Sequence, residues 1–113
     1  VDAVYGLVGL MQSASDSVTA LPPNTLYLYG ARDQIIPAKA TFKAVAQLPK
    51  NVRTIYYPKG YHMLTRDLQA PVVWKDILAF IDDPAAPPPS GLAAIPKPKR
   101  PVAKGVRTAQ GNP

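Results

Sequence analysis

The stretch from Leu26 to His62 constrains the chain most, because two short apolar strand patterns each run into a glycine and then a side chain able to hold or move a proton. Leu26-Tyr27-Leu28-Tyr29 leads to Gly30-Ala31-Arg32-Asp33. Val52-Arg53-Thr54-Ile55-Tyr56-Tyr57 leads, past Pro58 and Lys59, to Gly60-Tyr61-His62. Short runs rich in β-branched and aromatic residues read as strands covered on both faces. Between them Ala38, Phe42, Val45 and Ala46 recur at helical spacing, with Lys39, Lys43 and Gln47 on the opposite, solvated face. Pro37 suits the first turn of that helix and Pro49 stops it. A strand, a helix and a second strand in this order predict parallel neighbours joined by a right-handed crossover, hence an α/β fold. Both polar loops then leave the carboxyl edge of the sheet, where open α/β sheets bind ligands. Adjacent strands lie about 4.8 Å apart, so an aspartate beyond one reaches an imidazole beyond the next. A carboxylate on one ring nitrogen fixes the tautomer and leaves the other nitrogen as a base.

The flanking segments read as helices. Asp2 suits an N-cap, and Val4, Leu7, Val8 and Met11 make one apolar face. Gly6 and Gly9 lower that helix's stability by about 1 kcal/mol each relative to alanine. They fit either close backbone packing or a marginal helix that needs neighbours. Leu21-Pro22-Pro23-Asn24 is a turn into the first strand. After His62, Pro71 opens a last helix whose inward stripe is Val73, Ile77, Phe80 and Ile81 beside Trp74; Asp82-Asp83-Pro84 ends it. Tyr56, Tyr57 and Trp74 are expected in the core.

Charge divides the chain at Pro84. Residues 1–83 hold eight Lys/Arg against seven Asp, whereas residues 84–113 hold five basic residues and no acid, so most of the net +6 belongs to the end of the chain. Eight of the 14 prolines also fall there, including Pro87-Pro88-Pro89. Residues 84–113 are therefore expected to be a Pro-rich, basic, disordered tail, and residues 1–83 a folded unit. Five positive charges with no aromatic residue among them fit a solvated tail with weak contact to anionic surfaces, and no nucleic-acid partner is expected. No cysteine is present, which excludes disulfides and thiolate metal sites. No metal or cofactor is called for. No apolar run approaches the roughly 18 residues of a membrane span. The first residue, Val1, already sits in a helical pattern, so a preceding segment is expected; a cytoplasmic setting is the default expectation.

Taken together, Leu26 to Pro37, Gly60-Tyr61-His62-Met63-Leu64 and the Trp-containing last helix resemble the C-terminal end of an α/β-hydrolase. The resemblance is to the branch with monoacylglycerol lipases, lysophospholipases and serine aminopeptidases, and it covers residues 1–83. It implies the last parallel strands of that fold with their flanking helices, Asp33 as the triad acid and His62 as the triad base, in the family's order Ser, acid, His. Tyr61 and Met63 are expected to line or support the substrate pocket. The Gly-x-Ser-x-Gly elbow is absent: the serines are Ser13, Ser15, Ser17 and Ser90. The nucleophile and oxyanion donors are then expected from the missing N-terminal part of the same domain, and this polypeptide alone is expected to be inactive.

Three functions follow from that reading. The first is the C-terminal segment of a serine hydrolase of carboxylic esters, acylglycerol- or lysophospholipid-like. The second is a non-catalytic relative that binds a ligand or partner. The third is a basic tail that binds anionic lipid or nucleic acid. A lone histidine is more often structural than catalytic, and it is the matching Asp33 that favours the first. Asp67, five residues beyond His62, is the rival carboxylate, expected to cap a helix or pair with Arg66.

Overall fold

The computed structural model describes residues 1–98. Strands β1 (Leu26–Gly30) and β2 (Arg53–Tyr57) are parallel neighbours, in register from Leu26 opposite Arg53 to Gly30 opposite Tyr57. Helix α1 (Asp2–Ser17) precedes them, with a 3₁₀ turn over Val18–Ala20; α2 (Ala38–Val45) connects them; a 3₁₀ turn over Leu64–Arg66 and α3 (Ala70–Asp82) follow.

Strand alternation sorts the side chains into two cores. Tyr29, with Tyr27 and Tyr56, faces α2 and packs on Val45, Phe42 and Ala38. The Tyr29 and Tyr56 rings stack at 6.3 Å, and Phe42 meets Tyr56 edge-on at 6.2 Å. On the other face Ile55 and Tyr57, with Leu26 and Leu28, pack on Val73 and Ile77 of α3. One helix therefore covers each face, an α/β/α sandwich. Each fully buried side chain such as Ile55 or Val73 contributes about 1.5–3 kcal/mol.

The helix stripes differ in part from their spacing. In α2, Thr41 is buried and Ala46 exposed, and Pro37 is the N-cap residue. In α3, Val73 is buried, Ile77 and Phe80 are half-buried, and Ile81 and Trp74 are exposed. The fully buried polar member of that helix is Asp76, whose carboxylate accepts from the Tyr57 hydroxyl (2.8 Å) and the Ser90 N–H (2.9 Å). Burial, and then Asp76 itself, push the Tyr57 hydroxyl pKa upward. In α1, Asp2 is the first helical residue and Val1 the cap position. No residue of α1 is buried, and nothing stands within 4 Å of a Cβ built on Gly6 or Gly9, so close packing is not their role here.

The expected disordered tail is corrected over residues 84–98. This segment lies as a strap along the outer edge of β2. The Tyr56 N–H donates to the Ala93 carbonyl (2.9 Å), the Ile95 N–H to Thr54 Oγ1 (2.9 Å), and the Arg53 guanidinium to the carbonyls of Ala85 and Ala86. Ile95, 2% exposed, joins the α2 core, while Leu92 joins the α3 core. Its prolines do not prevent this, because one side of the strap needs few donors and extended backbone suits proline. The basic residues Lys99, Arg100, Lys104 and Arg107 lie outside the described residues. Among the described residues no helix is long and apolar enough to cross a membrane.

Candidate active site

Both strands end at one edge, and the backbone there ties the two following loops together. The Tyr57 carbonyl accepts from Ala31 N–H (2.9 Å) and Gly60 N–H (3.0 Å), and the Gly60 carbonyl accepts from Arg32 N–H (2.9 Å). The loops approach so closely that a Cβ on Gly30 would stand 2.4 Å from the Gly60 carbonyl oxygen. Glycine is needed at this contact for space.

The acid loop turns back through Asp33 N–H to the Gly30 carbonyl (3.1 Å). Asp33 Oδ1 then accepts from the N–H groups of Ile35 and Ile36, both at 2.8 Å, a side-chain turn of the kind aspartate favours. The Tyr29 hydroxyl holds the far end by donating to the Ile36 carbonyl (2.7 Å). This leaves Oδ2 aimed at the second loop, where it meets His62 Nδ1 at 2.9 Å. The Asp33 side chain is 6% exposed and that of His62 42%. Burial pushes the Asp33 carboxyl pKa up, but the hydrogen bonds from Ile36, His62 and Ile35 outweigh it and hold the group below its ordinary range.

An ionised, acceptor-only carboxylate against Nδ1 places the ring proton on Nδ1. Nε2 then carries a lone pair, and it has no hydrogen-bond partner among the described residues. Such an arrangement can take a proton from a group placed opposite Nε2 and stabilise the resulting imidazolium.

Of the residues singled out from sequence, the fold thus brings Asp33 and His62 together. Tyr61 and Met63 flank His62 and are exposed; the Arg32 guanidinium lies 6.0 Å from the Tyr61 ring centroid. A cavity of about 410 Å³, lined by Leu48, Val52 and Ile95 among others, lies under the strap and includes none of these four residues. Among the described residues no group of three or more His, Asp or Glu is placed to hold a metal ion. Asp67 neither pairs with Arg66 nor caps α3: its Oδ2 turns back to accept from Tyr61 N–H (2.6 Å), and its Oδ1 accepts from the next N–H, that of Leu68 (2.7 Å). The sequence signal for this was an acid inside the histidine loop at a distance one 3₁₀ turn can close.

No curated protein and no solved structure matches the chain. The family model described as serine aminopeptidase, S33, matches residues 1–69, more than half of the chain and a span that contains both loops. A parallel strand pair with an acid loop and a histidine loop at one edge agrees with that match, and the chain belongs to the serine aminopeptidase, S33, family of α/β-hydrolases.

Proposed function

We propose that this chain supplies the acid and the base of a serine hydrolase acting on carboxylic esters, of the acylglycerol or lysophospholipid kind. The observation that carries the reading is the 2.9 Å contact between Asp33 Oδ2 and His62 Nδ1 at the carboxyl edge of the sheet. His62 Nε2 takes the proton of a serine hydroxyl as that oxygen attacks the ester carbonyl. Asp33 keeps the ring oriented and stabilises the imidazolium, which then protonates the leaving alkoxide. Water, activated in turn by Nε2, releases the acid from the acyl-enzyme. These 113 residues contain no Gly-x-Ser-x-Gly, and on this reading the serine and the donors for the oxyanion come from other polypeptide. On this reading Tyr61 and Met63 contact the substrate, and their exposure on either side of His62 supports it.

The test is hydrolysis by the protein that carries this chain together with its serine. Monoacylglycerol and lysophospholipid should be cleaved in preference to an aminoacyl anilide. Asp33→Asn should lower kcat on the order of 10⁴-fold, the loss expected when the acid no longer selects the tautomer. Turnover unchanged in Asp33→Asn, or preference for the amide, would overturn the reading.

A further inference from the structure

We infer that Asp67 is a positioning residue for His62, acting through the peptide unit between Gly60 and Tyr61. The inference rests on the catalytic reading of Asp33 and His62 given above. That peptide unit is gripped at both ends: its carbonyl accepts from Arg32 N–H of the acid loop (2.9 Å), and its N–H donates to Asp67 Oδ2 (2.6 Å). It is the last peptide but one before the imidazole-bearing carbon, so its tilt sets where the ring stands relative to Asp33. Nothing else among the described residues holds its N–H.

Asp67 is itself held for this task. The Leu64–Arg66 turn, closed by Arg66 N–H to the Met63 carbonyl (2.9 Å), folds the chain back so that the carboxylate faces Tyr61. Its second oxygen, Oδ1, is fixed by Leu68 N–H (2.7 Å). An ionised acceptor makes both contacts short and roughly twice as strong as neutral ones. Two carboxylates therefore divide the work at this edge. Asp33 contacts the ring, and Asp67 locks the backbone that presents it.

The chain's only histidine makes the test unambiguous. Ring ¹⁵N shifts of His62, read at about pH 8 where an ordinary imidazole is neutral, report which nitrogen holds the proton. The unsubstituted chain should show the Nδ1–H form, and Asp33→Asn should lose it. Asp67→Ala, and Asp67→Asn, which keeps the shape but offers a single acceptor, should also lose it. In both variants Tyr61 amide exchange should rise while the Ile55 amide in β2 stays protected.

An Nδ1–H form that persists in both Asp67 variants overturns the inference. So does a loss of protection shared equally by Tyr61 and Ile55, which would reduce Asp67 to general stability. In the complete hydrolase, Asp67→Asn should lower kcat about 10²-fold with KM little changed, as a ring misplaced by about 1 Å would. If instead Asp33→Asn leaves turnover intact while the ¹⁵N results hold, the catalytic reading fails and the backbone lock stands.

Discussion

Two isoleucines offer a direct measurement of how the core is built. Ile81 follows the helical stripe of α3 and is 71% exposed, whereas Ile95 sits in a proline-rich segment with no periodicity and is 2% exposed. Ile95 packs in the cluster with Tyr29 and Val45, so Ile95→Ala removes buried methyl groups and leaves a void between the strap, β1 and α2. Truncations of this kind cost about 2–5 kcal/mol, whereas a change at an exposed position such as Ile81→Ala stays within about 0.5 kcal/mol. Because the strap docks as one extended segment, the cost is capped by its own docking free energy. A chain ending at Asp83 measures that ceiling. It also strips partners from buried Asp76, from Tyr56 N–H and from Arg53, and so should be destabilised at least as much as Ile95→Ala. Urea unfolding of the 113-residue chain followed by far-UV circular dichroism gives all three values. The reasoning is refuted if Ile81→Ala costs as much as Ile95→Ala, or if the chain ending at Asp83 unfolds at the midpoint of the full one.

Two further outcomes follow from the loop edge. Gly30→Ala would place a Cβ 2.4 Å from the Gly60 oxygen and 2.7 Å from the Tyr61 oxygen, both backbone atoms, so the two loops have to part. We expect about 1–3 kcal/mol of destabilisation, measured by urea unfolding, together with loss of the Nδ1–H form of His62; an undisturbed ring would mean that the loops move together. For Asp33, the folded carboxyl pKa lies below its ordinary value of 3.8, so the stability it adds is whole above that pH and is lost as pH falls through the lower folded value. Asp33→Asn cannot take up that proton, and its unfolding free energy should fall less steeply below pH 3.8 than that of the parent; equal slopes would show that the carboxylate is held no better in the folded state.

What was legible in the sequence was the part governed by local pattern. Two β-rich runs with a helix between them predict parallel pairing, and a glycine followed by an acid, then a glycine followed by a histidine, places both polar side chains at one edge. β1, α2, β2 and the Asp33–His62 contact all follow from short-range chemistry plus the geometry of a parallel sheet. The tertiary structure decided what local pattern does not encode. Proline and basic residues in the last segment resemble disorder, yet an open strand edge with donors to satisfy gives Ile95, Leu92 and Ala93 a place to dock, as their separate hydrogen bonds and core contacts show. Likewise Ile81 and Trp74 sit at helical spacing but face outward, since the direction in which a stripe points depends on which element lies opposite. Asp67 reads as a cap when only its neighbours in sequence are considered. Its partner, Tyr61 N–H, is brought to it by a turn, and only the folded loop shows a carboxylate with one oxygen pointing backward along the chain.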